Sequence, residues 1–309
     1  MALISVVMPV LDTAAYLPEA IESILAQTHG DLELVIADDG SQDASRDIAQ
    51  DFARRDGRIR CIALERDEAG LSGARACNAA IARTRGDYVA RMDSDDIALP
   101  GRLAAQLAVM RARNLDICGG QCTTFGERSR DLWHPLSRDG IRNELVFTSA
   151  AVNPTLMVKG DLMRAARYSE ADAFEQYEFQ ARMYFLGRWE NLPEVVHRFR
   201  EHPASATRVF RPQKADSNWQ LRFRYFFRLF PDAGIADFQV IHKIARGLPV
   251  ADRAELETAG LWLQRLSRVA EDAVRVRMAR RWRETCDAAG IPDRDALRSD
   301  YEARITAGD

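Results

Sequence analysis

The sequence predicts an α/β protein: a mainly parallel central sheet over residues 1–210, followed by a helical C-terminal region over 211–309. Three observations predict it. Apolar runs alternate with helix-period segments through the first 120 or so residues. Those runs are apolar on both faces, the pattern of strands covered on both sides by helices. From about residue 215 the chain turns to long, arginine-rich helical patterns.

The elements follow in order. ISVVMPV (4–10) is the first strand, and a helix begins near Leu17. Pro18 suits its first turn, and Leu17, Ile21, Ile24 and Leu25 share one face. LELVIA (32–37) is the second strand; after it DDGSQDAS offers Ser and Asp to cap a helix carrying Ile48 and Phe52. IRCIAL (59–64), a helix around 73–84, DYVARM (87–92), a helix around 101–113 and LDICGG (115–120) continue the series. Between 121 and 205 the pattern loosens, with TLMVK (155–159) as a strand and EQYEFQARMYFLG (175–187) as a helix. In the tail, NWQLRFRYFFRLF (218–230) and LWLQRLSRVAEDAVRVRMARRWRETC (261–286) are the clearest helices. No internal repeat or low-complexity linker interrupts the chain.

Composition narrows the function classes. Hydrophobic residues are 47% and charged residues 29%, ordinary for a soluble globular protein. A net charge of −3 gives no nucleic-acid signature. The start lacks a basic leader region, and no run approaches a membrane-spanning length, so a cytoplasmic protein is expected. Five cysteines, an odd number, read as reduced thiols. Cys118 and Cys122 in CGGQC have no second pair to complete a zinc site.

The chemistry concentrates in RMDSDDIALP (91–100), where Asp93, Asp95 and Asp96 cluster at a strand end. Like charges held together cost free energy unless something positive compensates. A D-x-D pair on a turn can grip Mg²⁺ or Mn²⁺ and leave positions for substrate phosphates, where the cation would neutralise a diphosphate leaving group. The alternative is a solvated turn whose aspartates cap the PGRLAAQ helix. DDGS and DSDD both sit at strand C-termini, where ligands bind in such sheets, so they are expected to converge.

These stretches carry a resemblance. ISVVMPVLDTAAYLPEAIESILAQTHGDLELVIADDGSQDAS and GDYVARMDSDDIALPGRLAAQ, with GRWENLPEVVHRFREHPASAT further on, resemble the family 2 glycosyltransferases with the GT-A fold, over roughly residues 3–207. The resemblance implies an inverting transfer from a nucleotide-sugar, UDP-linked in most cases, to an acceptor hydroxyl of a saccharide or lipid-linked saccharide, with Mn²⁺ or Mg²⁺ as cofactor. It places Pro9 and Val10 against the nucleotide base, with Asp12 where Asn is usual. Asp39 then accepts a hydrogen bond from the base with Asp38 beside it, helix capping being the other reading of both. Asp93 and Asp95 match ligands of the metal and the ribose diphosphate, and Asp96 a ligand or a group behind them. His202 matches a histidine near the metal, though a lone histidine is also often structural. Arg75 is placed near a phosphate, against a solvated helix-face reading, and Asn78 at an Asn position of the nucleotide segment, with Ala80 where Gly is usual.

One position departs. The family base is an Asp after Glu and before an aromatic, and here FEQYEF puts Gln176 after Glu175. A glutamine cannot take the acceptor proton. Glu175 is therefore the expected base, with Gln176 hydrogen-bonding the acceptor; a catalytically impaired nucleotide-sugar-binding or scaffold protein is the alternative. Phosphatases of the haloacid-dehalogenase type, nucleotidylyltransferases and dinucleotide dehydrogenases lack their motifs here. In the tail, Trp219, Phe223, Phe226, Phe227 and Phe230 lie among Arg222, Arg224 and Arg228. Such a helix suits either a membrane interface at the inner face of the membrane or packing against the catalytic domain or a second copy.

Overall fold

A computed structural model describes residues 2–66, 73–170, 175–203, 218–269, 271–292 and 294–308. The chain forms two compact units, the first from Met1–His134 with Ala151–Ala215, the second from Pro135–Ala150 with Asp216–Asp309. The expected boundary at 210/211 lies outside the described residues.

The first unit holds β1 (Ile4–Val10), α1 (Leu17–Leu25), β2 (Leu32–Asp38), α2 (Ser45–Arg55), β3 (Ile59–Ala63), α3 (Ala74–Ile81), β4 (Tyr88–Arg91), β5 (Ile97–Ala98), α4 (Arg102–Ala112), β6 (Ile117–Gly126) and β7 (Asp131–Leu132). After an excursion into the second unit it continues with β8 (Met157–Lys159), α6 (Gly160–Ala166), α7 (Glu175–Leu186) and β9 (Trp189–Glu201); α5 (Arg138–Leu145) belongs to the second unit. The sheet order is β3-β2-β1-β4-β8-β6-β9-β5, with β7 on β6. β3, β2, β1 and β4 run parallel. β8 runs antiparallel to β4 and to β6, β9 is parallel to β6, and β5 is antiparallel to β9. The parallel half is the nucleotide-binding pattern of a doubly wound sheet, and the mixed half closes its edge.

Register sets what faces what. Val10 lies opposite Asp38, and Val7 opposite Arg91. The residues that follow, Asp39 after β2 and Asp93 after β4, therefore leave the sheet on one edge. Beneath them Val6, Met8, Leu34, Ile36, Ala90 and Met92 join Leu17, Ile21 and Ile24 of α1 and Leu103, Leu107 and Met110 of α4 in one core. The glycine of DDGS is required: Gly40 has φ +83°, and a Cβ there would lie 2.4 Å from the Arg66 Cα.

β9 is the element the sequence hid. Pro193 interrupts its apolar pattern, and β6 meets it through irregularities between Gly119 and Cys122. β6 also runs to Gly126, beyond the LDICGG stretch that marked it.

In the second unit α5 is joined by α8 (Asn218–Leu229), α9 (Ile235–Arg246), α10 (Arg253–Ser267), α11 (Asp272–Ala288) and α12 (Arg294–Ala307). The single helix expected over 261–286 is two helices. Ser267 Oγ bonds back to Gln264 O, Val269 N closes on Ser267 O, and Glu271 turns its carboxylate to the backbone amides of Leu136 and Ser137 at 2.7 and 2.6 Å. Those bonds tie 135–150 to the helices, as do Asn143 to Leu266 O and Arg222 to Phe147 O. Phe226 of α8 and Phe230 just after it are buried against Trp262, with Phe238 packed on Phe226. Trp219 remains 43% exposed, stacked on Phe223. Much of the aromatic content that suited a membrane interface thus forms this unit's own core. Among the described residues no helix is long and apolar enough to cross a membrane.

Glu33 tests the fold. Buried in β2, it accepts from Ser5 Oγ, Arg85 N and the guanidiniums of Arg85 and Arg60. Burial pushes its carboxyl up, but these bonds and the arginine charge outweigh burial and hold it below its ordinary value of 4.5. Its contribution is present above that value and is lost as pH falls through the lowered native value. Glu33→Gln is expected to destabilise the chain at pH 7 by roughly 1–3 kcal/mol. In urea unfolding, that difference should shrink as pH falls below 4.5.

Candidate active site

The positive partner of the acidic turn stands in the same motif. Arg91, the last residue of β4, is buried and pairs with Asp93 at 2.6 Å. Burial works against its charge, but the Asp93 carboxylate, Cys77 and Tyr168 together outweigh burial and hold the guanidinium above its ordinary range. Arg102, also buried, donates to Arg91 O at 2.8 Å. Burial, and then the charge of Arg91, push it down to about 10, which leaves it protonated at neutral pH.

The three aspartates divide the work. Asp93 and Asp95 keep partly exposed side chains. Asp95 Oδ2 meets His202 Nε2 at 3.0 Å, and His202 packs on the Tyr16 ring at 4.5 Å. Burial and the neighbouring Asp96 push the Asp95 carboxyl up. Asp96 is only 1% exposed. Its Oδ1 accepts from Arg200 N and its Oδ2 meets His197 Nε2, both at 2.8 Å. Burial pushes Asp96 well up and His197 down to about 3, so both shifts favour the uncharged forms. With both oxygens taken by protein atoms, Asp96 anchors β9 beneath the turn and does not present itself as a ligand.

On the other side of the cleft the paired aspartates also differ. Asp38 is buried, gripped by Arg46 Nε at 2.8 Å and by Ser41 N at 3.3 Å. Asp39 donates its amide to Val10 O at 2.8 Å and presents its carboxylate to Arg75. Pro9 is half-buried and Val10 buried at the end of β1. Arg75 also donates to Glu65 O at 2.6 Å, so it lies on the Asp39 side rather than at the aspartate turn. Asp12 has φ +50° in the loop after β1, where it holds Gln42 N and Arg66.

Asn78 lies on α3, 8% exposed. Its amide is spent inside the unit: Nδ2 donates to Tyr168 O and Glu170 Oε1, and Oδ1 accepts from Tyr168 N. It ties α3 to the segment after α6, which leaves its polar atoms committed to protein. Glu175, first residue of α7, is 6% exposed. Its charge reaches the Cys77 thiol of α3, as do those of Arg91 and Asp93. Gln176 points to solvent. Sequence reasoning missed Arg200, whose Nε donates to Asp95 O at 2.8 Å while its outer nitrogen pairs with Glu19. Its place two residues before His202, at the end of the strand that leads to it, was the available signal.

Among the described residues no trio of His, Cys, Asp or Glu side chains is already arranged to hold a metal ion. The donor set nonetheless fits a hard divalent cation. Two partly exposed carboxylates and one imidazole suit a site whose remaining ligands are substrate phosphate oxygens and water.

A parallel β3-β2-β1-β4 sheet with carboxylates at the ends of the two strands that flank β1 defines the class: a nucleotide-binding α/β fold of the GT-A type. The sequence pattern of Glycosyl transferase family 2 matches residues 5–177. The chain belongs to that family. It is 31% identical to the O-antigen biosynthesis glycosyltransferase WbnJ of Escherichia coli over 66% of this chain and 81% of that one. It is 28% identical to glycosyltransferase GlyG of Streptococcus pneumoniae over 60% of this chain, a match spanning 65% of GlyG. The fold is that of S. aureus TarS residues 1–349, with TM-score 0.61, 14% identity, 98% of this chain and 90% of that chain covered. It is also that of the mannosyltransferase PcManGT from Pyrobaculum calidifontis, in complex with GDP-Man and Mn²⁺, with TM-score 0.55, 16% identity and 99% and 85% covered.

The Arg91–Asp93 pair is open to test. Arg91→Met removes one partner of a buried pair and leaves the carboxylates uncompensated. It is expected to cost roughly 3–5 kcal/mol of stability in chemical denaturation. A midpoint equal to wild type would mean that the pair does not hold the turn.

Proposed function

We propose that this protein is an inverting glycosyltransferase that moves a sugar from a UDP-sugar to an acceptor hydroxyl, assisted by Mn²⁺ or Mg²⁺. The observation that carries it is the register of β1 between β2 and β4, which sets Asp39 and the Asp93–Asp95 turn on one edge of the sheet. Asp39, with Pro9 and Val10, recognises the base. Asp93, Asp95 and His202 would hold the cation, which when bound supplies positive charge for the departing diphosphate. The donor class draws support from TarS, whose fold this chain shares and which is known in complexes with UDP and UDP-GlcNAc; PcManGT with GDP-Man and Mn²⁺ supports the cation.

In the transfer, the acceptor oxygen attacks the anomeric carbon from the face opposite the leaving diphosphate. The new C–O bond forms as the bond to the diphosphate oxygen breaks, and the hydroxyl proton passes to a carboxylate. We assign that role to Glu175, the carboxylate next to Gln176 at the start of α7, because Gln176 is exposed and cannot accept a proton. The scaffold reading rests only on Gln176, and the neighbouring Glu175 removes its main support. A place in polysaccharide or glycoconjugate synthesis agrees with the O-antigen role in the name of WbnJ. Saccharide or lipid-linked saccharide acceptors suit that role, in the cytoplasm or at the inner face of the membrane.

A panel of UDP-sugars, scored for donor hydrolysis and transfer, tests the reading. Glu175→Gln is expected to slow turnover by about 10²–10⁴-fold with UDP affinity unchanged. A wild type with no turnover on any donor favours the scaffold. Asp95→Ala is expected to abolish the gain in UDP affinity that Mn²⁺ brings, without unfolding the chain. An undiminished gain in that variant removes Asp95 from the cation site.

A further inference from the structure

We propose that Asp12 and Thr13 are positioning residues that lock the loop after β1 both to the base-side loop and to the aspartate turn, so that the two halves of the donor site are registered before the donor arrives. The proposal rests on the nucleotide-sugar reading above and assigns Asp12 a role other than contact with the base.

Asp12 adopts φ +50°, a left-handed conformation that most residues avoid and that Asp and Asn tolerate best. Every polar group of Asp12 that faces the base-side loop is engaged. Its amide donates to Ser41 Oγ at 3.1 Å, its Oδ1 accepts from Gln42 N at 2.7 Å and its Oδ2 accepts from Arg66 at 3.0 Å. Arg66 donates also to Gly40 O at 3.2 Å, so one guanidinium joins the two loops. Thr13 carries the link onward. Its amide donates to Ser45 Oγ at 2.9 Å, and its hydroxyl bonds the Ser94 hydroxyl at 3.0 Å. Ser94 is the middle residue of D-S-D, between Asp93 and Asp95. Ala14 N adds a bond to Asp43 Oδ2 at 2.9 Å. Three consecutive residues thus bridge residues 41–45, which follow Asp39, and the turn that holds Asp93 and Asp95.

An exposed ion pair such as Asp12–Arg66 adds little stability. Its use is positional: a loop already in its bound arrangement loses less entropy when ligand binds. The side chain does two separable things. Asn would keep the left-handed turn and the bond from Gln42 N, and lose only the charge toward Arg66. Ala would lose both.

The test uses the full chain with Asp12→Ala, Asp12→Asn and Thr13→Val. Hydrogen exchange of the Gln42 amide is followed without ligand, beside melting temperature and UDP affinity with and without Mn²⁺. Asp12→Ala is expected to speed Gln42 exchange and weaken UDP binding by about tenfold, with melting close to wild type; Asp12→Asn restores most of both. Thr13→Val is expected to reduce the gain in UDP affinity from Mn²⁺ more than the metal-free affinity. Unchanged Gln42 exchange in Asp12→Ala overturns the proposal. So does an equal loss in the Ala and Asn variants that tracks a fall in melting temperature, since that is a stability effect only. A wild type that binds no UDP sinks the donor reading, and the exchange measurement still decides the positioning role.

Discussion

The structure depends on keeping negative charge at the end of a buried strand. β4 delivers three aspartates within four residues to the edge of the sheet, and the protein surrounds them with nitrogen: buried Arg91 from β4, Arg102 from α4 and His197 from β9, and the half-buried Arg200, also from β9. Three elements supply them, so the turn fixes the approach of β4, α4 and β9. β9 carries no strong apolar signature, yet Asp96 bonds it at two points, and so brings His202 to Asp95. An isolated carboxylate in such a place would lose far more solvation than any one contact returns, which is why the turn is a network and not a pair.

That arrangement also separates structure from chemistry among like residues. Asp38 and Asp96 face inward with their oxygens committed. Asp39, Asp93 and Asp95 keep partial exposure. Adjacent aspartates thus differ in environment: one of each pair is committed to protein atoms and the other keeps partial exposure. At the start of α7 the roughly 100° step between successive helical side chains leaves Glu175 buried and Gln176 exposed.

Much of this was legible in the sequence. The first strand and the start of the first helix fall where ISVVMPV and Leu17 place them, because a parallel sheet writes continuous apolar runs and Pro18 marks a first turn. The convergence of DDGS and DSDD follows from the strand order alone. What stayed hidden depends on distance in sequence. Asn78 carries a motif position but spends its amide on Tyr168, ninety residues away. Arg75 finds Asp39, and Arg200 finds Asp95, across spans no local pattern reports. The break between α10 and α11 was invisible because Glu271 leaves a helical sequence to cap residues 136 and 137, a tertiary bond that overrides local propensity.

The central claim is that the base-side carboxylate and the aspartate turn form one donor site. Its most direct test is a calorimetric titration of UDP, with and without Mn²⁺, into wild type and Asp39→Ala. The account predicts that wild type binds UDP more tightly with Mn²⁺ and that Asp39→Ala weakens binding by a similar factor in both conditions, since the base contact and the cation contact are separate parts of one ligand's site. UDP binding that ignores both Mn²⁺ and the loss of Asp39 would contradict it.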